Sequence, residues 1–355
     1  MRFSNLSIFS NLRSFIFAML FIMACGCNDE KPLQGIEIAP QAAELKAKAR
    51  SFDVDLFACD FNQPESCADS LYSNYGTFFC GFVEEDLRLA ACGSDSVGML
   101  LGQFTSDPQI AATHRAVMEI FSLQKRQLIT ISFTDVIQRW HHFFPARPIP
   151  EIIYYCSAWN RSIATTDSII GVALDCYLGP EHDITRKLSP DIFPLYVKEN
   201  MDERFILADA VKGFSAWQAR NAYRQKDLLS ELLFYGKIMY IAEALAPSLA
   251  DSTLMNWNTR QWEWAVANEE QVWKALANEK TMFQSKPFEI NKWFADGPFT
   301  SADGVPQQSA PQLGVWMGWN IIRSYMKKFP DMTLEALLLE TDNQRLLSGY
   351  VPGKR

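Results

Sequence analysis

The chain has 355 residues, 48% of them hydrophobic and 21% charged, which is enough for a full core that needs no disulfides to hold it. Its formal charge of −8 argues against nucleic acid and against a polybasic grip on anionic lipid, both of which need clustered positive charge. With 25 Phe and 10 Trp, a large aromatic core is expected.

Residues 1–24 read as an export signal. Arg2 and Arg13 make a positive start, and Phe15 to Ala24 is an unbroken apolar run of ten residues. That run is too short to span a bilayer, which takes about 20 residues, and it fits the core of a signal peptide. The segment ends Ile22-Met23-Ala24-Cys25-Gly26-Cys27, which resembles a lipobox. In that motif the cysteine thiol takes a diacylglyceryl group and becomes residue one. Cys25, with Ile22 at −3 and Ala24 at −1, is the favoured lipid attachment; Cys27, with Gly26 at −1, is the alternative. Several acyl chains, palmitate among them, hold far more firmly than one, since each buried methylene adds about 0.8 kcal/mol. Removing Arg2 and Arg13 leaves 31 basic against 41 acidic side chains, near −10. Residues 25–45 read as a lipidated tether and 46–355 as a single helix-rich domain. Gly26 is not an aspartate that would retain a lipoprotein at the inner membrane, which favours the outer membrane.

Along the domain, Ala42 to Arg50 is built from good helix formers. Further helices are expected over 66–75, 79–91, 107–122 and 133–143, the last ended by Pro145. Ile149 to Trp159 and Ser168 to Leu178 are strand candidates, β-branched and aromatic, with the polar stretch Asn160 to Asp167 turning between them. Helices resume over Met201 to Tyr223 and Asp227 to Leu245. The second is apolar almost all round and therefore central, with Asp227 to cap it and Pro247 to stop it. Thr259 to Phe283, the stripe Val315, Trp319, Ile322, Met326, Phe329, and Thr333 to Leu347 complete the set, Gly349 capping the last. Gly314 and Gly318, four apart, would let another element approach closely. The fold class is mainly α with a small central β-sheet.

Six cysteines remain in the mature domain: Cys59, Cys67, Cys80, Cys92, Cys156 and Cys176. All are disulfide candidates in an exported protein. The first four crowd together and should hold one or two structural disulfides; Cys156 and Cys176 could pair or be buried thiols. No C-x-x-C pair suggests a zinc ribbon. The four histidines, His114, His141, His142 and His182, include no pair at i, i+4, and there is no Gly-x-Ser-x-Gly elbow or phosphate-cradling loop. Asp175, between Leu174 and Cys176, is the acid expected in the most unusual environment, as a hydrogen-bonded structural group. No cofactor is indicated.

Several segments carry a family resemblance. They are His142-Phe-Phe-Pro-Ala-Arg-Pro-Ile-Pro-Glu151, Ser168-Ile-Ile-Gly-Val-Ala-Leu-Asp-Cys-Tyr-Leu-Gly179 and Asp227-Leu-Leu-Ser-Glu-Leu-Leu-Phe-Tyr-Gly-Lys-Ile-Met-Tyr240. Ala295-Asp-Gly-Pro-Phe-Thr300, Pro311-Gln-Leu-Gly-Val-Trp-Met-Gly-Trp-Asn-Ile-Ile-Arg-Ser-Tyr325 and the ending Gly349-Tyr350-Val-Pro352 follow in order. In sequence and spacing these resemble the gliding-motility lipoprotein family GldB; residues 50–140 resemble it only loosely. The resemblance implies a cell-envelope lipoprotein that works with type IX secretion, bound to other gliding or secretion lipoproteins and envelope proteins. It also implies a degenerate zincin-like metallopeptidase fold. The helix that carries His-Glu-x-x-His in such peptidases would here carry Ser230, Glu231 and Phe234: the glutamate kept, both metal ligands gone. A catalytic zinc needs three protein ligands, so the resemblance implies binding rather than catalysis. An envelope hydrolase acting on peptide or peptidoglycan is the alternative, and a glycan-binding surface at Trp262 and Trp264 a third.

Overall fold

A computed structural model describes residues 33–224 and 226–353, so Cys25, Cys27 and the signal peptide lie outside the described residues. Residues 1–36 and 37–355 are separate units, and the architecture below is that of the second. Its described strands are β1 (Ala49–Ser51), β2 (Glu151–Tyr155), β3 (Ile163–Thr165) and β4 (Ile169–Ala173), in one sheet of order β1-β2-β4-β3. β1 and β4 run parallel to β2, and β3 runs antiparallel to β4 at the edge. Ile152 sits opposite Ile170 and Tyr154 opposite Val172. Ile152 to Tyr155 and Ile170 to Ala173 are buried without alternation. Both faces of the sheet are therefore covered, which is why its central strands read as continuous apolar runs.

Helices of eight or more residues are α1 (Pro64–Tyr75), α2 (Val97–Ser106), α3 (Pro108–Ile120), α4 (Leu123–Phe143), α5 (Ile206–Ala219), α6 (Leu228–Leu245), α7 (Thr259–Ala267), α8 (Glu269–Leu276) and α9 (Leu313–Lys328). The fold is mainly α with a small central sheet, as the sequence predicts. It departs from the expected elements in particular places. Ala42 to Arg50 is helical only at Pro40–Ala43, and Ala49–Ser51 is strand β1. Tertiary pairing overrides propensity there. Ile152 N–H donates to the Lys48 carbonyl at 2.9 Å, and Arg50 grips both oxygens of Glu151 at 2.9 and 2.7 Å. The polar stretch 160–167 contains β3. Helix α4 begins ten residues before the expected start, where Ser122 accepts the Lys125 N–H as its cap. The stretch Thr259 to Phe283 breaks at asparagines: Asn258 opens α7 in a capping box with Gln261, and the Asn268 side chain donates back to the Trp264 carbonyl at 2.7 Å. Asn278 then caps a further turn, Glu279–Met282.

Helix α5 lies on β3 and β4, and α6 packs between α5 and α9. The crossing of α6 and α9 is backbone on backbone. A Cβ at Gly318 would lie 1.9 Å from the Leu232 carbonyl oxygen, and one at Gly236 would lie 2.3 Å from the Gly318 oxygen. Gly314 serves a second contact, where a Cβ would meet the Phe294 ring at 2.8 Å and the Trp293 oxygen at 2.9 Å. α9 therefore holds Phe294 against the start of its own first turn.

Candidate functional site

Helix α6 starts at a cap. Asp227 accepts the Ser230 N–H at 2.8 Å and the Ser230 hydroxyl at 2.7 Å, and Asn343 donates to the same hydroxyl at 3.2 Å. Ser230 is thus engaged in capping. Glu231, one residue on, is 7% exposed. Tyr223 donates its hydroxyl to Glu231 Oε2 at 2.7 Å, and among the described residues Oε1 has no hydrogen-bond partner. Burial pushes the Glu231 carboxyl above its ordinary pKa, and the Tyr223 bond restrains the rise. Phe234 packs on Tyr223, with ring centroids 4.6 Å apart.

Over Glu231 opens a cleft of about 390 Å³, lined by Glu231, Tyr235, Pro287, Phe288, Ile290, Asn291 and Phe294. The Tyr235 and Phe294 rings stack at 5.1 Å, while Phe288 stands three-quarters exposed at the rim. This is an aromatic cleft with one carboxylate at its floor.

A second polar group lies within electrostatic reach. On α5, Asp209 and Lys212 pair at 3.1 Å. Asp209 accepts from Tyr177 at 3.0 Å and from Asn256 at 2.9 Å, and Lys212 donates to Asn256 Oδ1 at 2.8 Å. Gln312 donates to Asp296 at 2.6 Å. Asn256 and Gln312 both hold left-handed backbone, at φ 53°. Burial raises the Asp296 carboxyl above its ordinary pKa, with Lys212 restraining the rise, and Asp296 joins burial and Glu231 in pushing up the Tyr235 hydroxyl. Tyr235 therefore feels both groups. Sequence reading missed Asp209, Lys212, Asn256, Asp296 and Gln312. Asp209 and Lys212 at i, i+3 look like an ordinary solvated pair, and their partners come from three distant segments.

Residues 35–352 match the model of the family described as gliding motility protein GldB. The chain belongs to the GldB family. No curated protein and no solved structure matches it. Membership brings involvement in gliding motility and, by the family's lipoprotein character, the cell envelope. No helix among the described residues is long and apolar enough to cross a membrane.

The other residues singled out in this GldB chain are scattered. Cys59 pairs with Cys67 and Cys80 with Cys92, whereas Cys156 and Cys176 are free, buried thiols whose pKa burial pushes well up. His114 stacks on Phe57 at 3.8 Å, His142 accepts the Ala39 N–H at 3.2 Å, and His182 caps the turn at Ile184. Trp262 packs near Trp257 at 6.3 Å, and Trp264, two residues on in α7, is half-buried. Among the described residues, no three of His, Cys, Asp and Glu gather into a group that could hold a metal. Asp175 lies in a tight 3-10 turn after β4, fully buried, and accepts the Ser157 and Trp159 N–H groups at 3.0 and 2.9 Å.

Proposed function

We propose that this protein is a non-catalytic cell-envelope lipoprotein that supports gliding and the associated type IX secretion machinery by holding partner proteins, and that a partner docks in the cleft over Glu231. The observation that carries this is the company Glu231 keeps. Its neighbours are two phenols, the Asn291 amide and hydrocarbon faces, so the cleft offers one carboxylate where a catalytic zinc would need three protein ligands. Aromatic walls with one convergent polar group make a recognition site. We read the fold as a zincin-like scaffold kept for contact, with the Glu231 helix following the mixed sheet after α5. An acylated Cys25 would tether the domain to a membrane, the outer one favoured, where the partners are other gliding or secretion lipoproteins and envelope proteins.

One observation favours a second reading, an envelope hydrolase. A carboxyl raised by burial is what a general acid requires. Two measurements separate the readings. A photo-cross-linking residue at position 288 in living cells is expected to trap an envelope protein, and Phe288→Glu is expected to abolish colony spreading while the mature lipoprotein stays at its normal level. Peptide or peptidoglycan cleavage by the purified protein that disappears in Glu231→Gln would establish the hydrolase instead. Normal spreading of the Phe288→Glu strain would remove the docking role from the cleft.

A further inference from the structure

We propose that the cleft over Glu231 receives a cationic side chain, lysine or arginine, of the docking polypeptide. This rests on the docking reading above and adds the chemistry of what enters. Glu231 is 7% exposed and lines the cleft, yet only one of its carboxylate oxygens is engaged by a described residue. An apolar occupant would seal that free oxygen from water with no donor, which is unfavourable. An ammonium or guanidinium supplies a donor and a charge together, and such hydrogen bonds are roughly twice as strong as neutral ones.

The walls suit the rest of such a side chain. Pro287 and Ile290 offer apolar surface to an aliphatic stem, and Tyr235 and Phe288 offer rings that attract a cation. Phe288 already shows this behaviour, because Lys292 Nζ lies 5.0 Å from its centroid. That lysine is itself held by Glu289 at 2.7 Å. The local charge has the right sign: burial chiefly raises the Tyr235 hydroxyl, and Glu231 and Asp296 push it the same way. The same field disfavours an amine lipid headgroup, which would carry its phosphate toward these carboxylates. A polypeptide side chain brings no such anion.

The test uses the full mature protein in detergent and four blocked peptides, Gly-Gly-X-Gly-Gly with X lysine, arginine, norleucine or glutamate, followed by ligand-observed NMR. The lysine and arginine peptides are expected to bind at least tenfold tighter than the norleucine peptide, with the glutamate peptide weakest. Glu231→Gln should erase that preference. Because Glu231 is buried, Phe288→Ser at the exposed rim is the second variant, and it should weaken the two basic peptides several-fold. Norleucine binding as tightly as lysine, or a preference that survives Glu231→Gln, would overturn the proposal. So would Glu231-dependent binding of short-chain phosphatidylethanolamine micelles with silent basic peptides. If the peptide preference fails while the position-288 cross-link persists in cells, the cationic assignment falls and docking stands. If both fail, the docking reading falls with it.

Discussion

At the scale of single residues, two buried carboxylates show opposite electrostatics. Asp53 is fully buried; burial alone would raise its pKa, but two Arg126 hydrogen bonds at 2.7 Å, with His114 beside it, bring it below its ordinary value. Arg126→Met leaves that charge without its clamp and should cost about 3–5 kcal/mol of stability in denaturant titrations. The companion change Asp53→Leu should recover most of the loss, since nothing then needs the guanidinium. Asp175 is the reverse case. Burial raises its carboxyl from 3.8 to about 6, restrained by the Trp159 and Ser157 N–H groups. Its folded state binds protons more readily than the unfolded chain, so this group's contribution is full below about pH 4 and is lost as pH rises through 6. Across that window the wild type should lose up to about 3 kcal/mol relative to Asp175→Asn. Parallel pH profiles for the two proteins would show that the carboxyl titrates normally. The same carboxylate holds the chain where Ala158 and Trp159 adopt φ of 55° and 59°, a conformation that costs free energy in residues with a side chain.

At the scale of elements, the contact that organises the site is the crossing of α6 and α9. Because the Gly318 Cα faces the Leu232 carbonyl directly, a methyl there cannot be absorbed by a rotamer change; the helices must separate. Gly318→Ala should destabilise the fold by about 3 kcal/mol, measured as a lowered denaturation midpoint with an unchanged slope. The effect should reach the cleft, since α9 also seats Phe294 through Gly314, and Phe294 backs Tyr235. A Gly318→Ala protein of wild-type stability would mean that the helices are further apart than their glycines require. The pair Gly314 and Gly318 was legible as a close-packing signal. Its partner Gly236 was not singled out, because a glycine inside an apolar helix carries no mark of which neighbour approaches it.

At the scale of the whole molecule, the proposed function needs both a tether and a presenting surface. The lipobox-like segment makes Cys25 the expected tether and Cys27 the alternative. Cys25→Ser should abolish labelling with palmitate and move the protein out of the membrane fraction, whereas Cys27→Ser should leave both unchanged. The reverse pattern would transfer the anchor to Cys27. The family resemblance was legible because it rests on local order, segments in fixed succession along the chain. The sheet was half legible. β2 and β4 are apolar throughout because both faces are buried, but β1 is made of helix formers and becomes a strand only by pairing with residues about a hundred positions away.

The sequence alone therefore determined the class of fold, the GldB resemblance and the central place of the helix bearing Glu231. Those properties follow from composition and from periodicity within one segment. Only the tertiary structure decided that Glu231 meets Tyr223 and an aromatic cleft, that Cys156 and Cys176 stay unpaired, and that Asp209, Lys212 and Asn256 join in one polar group. Burial and charge pairing depend on which segments meet, and distant segments leave no spacing rule in the chain that brings them together.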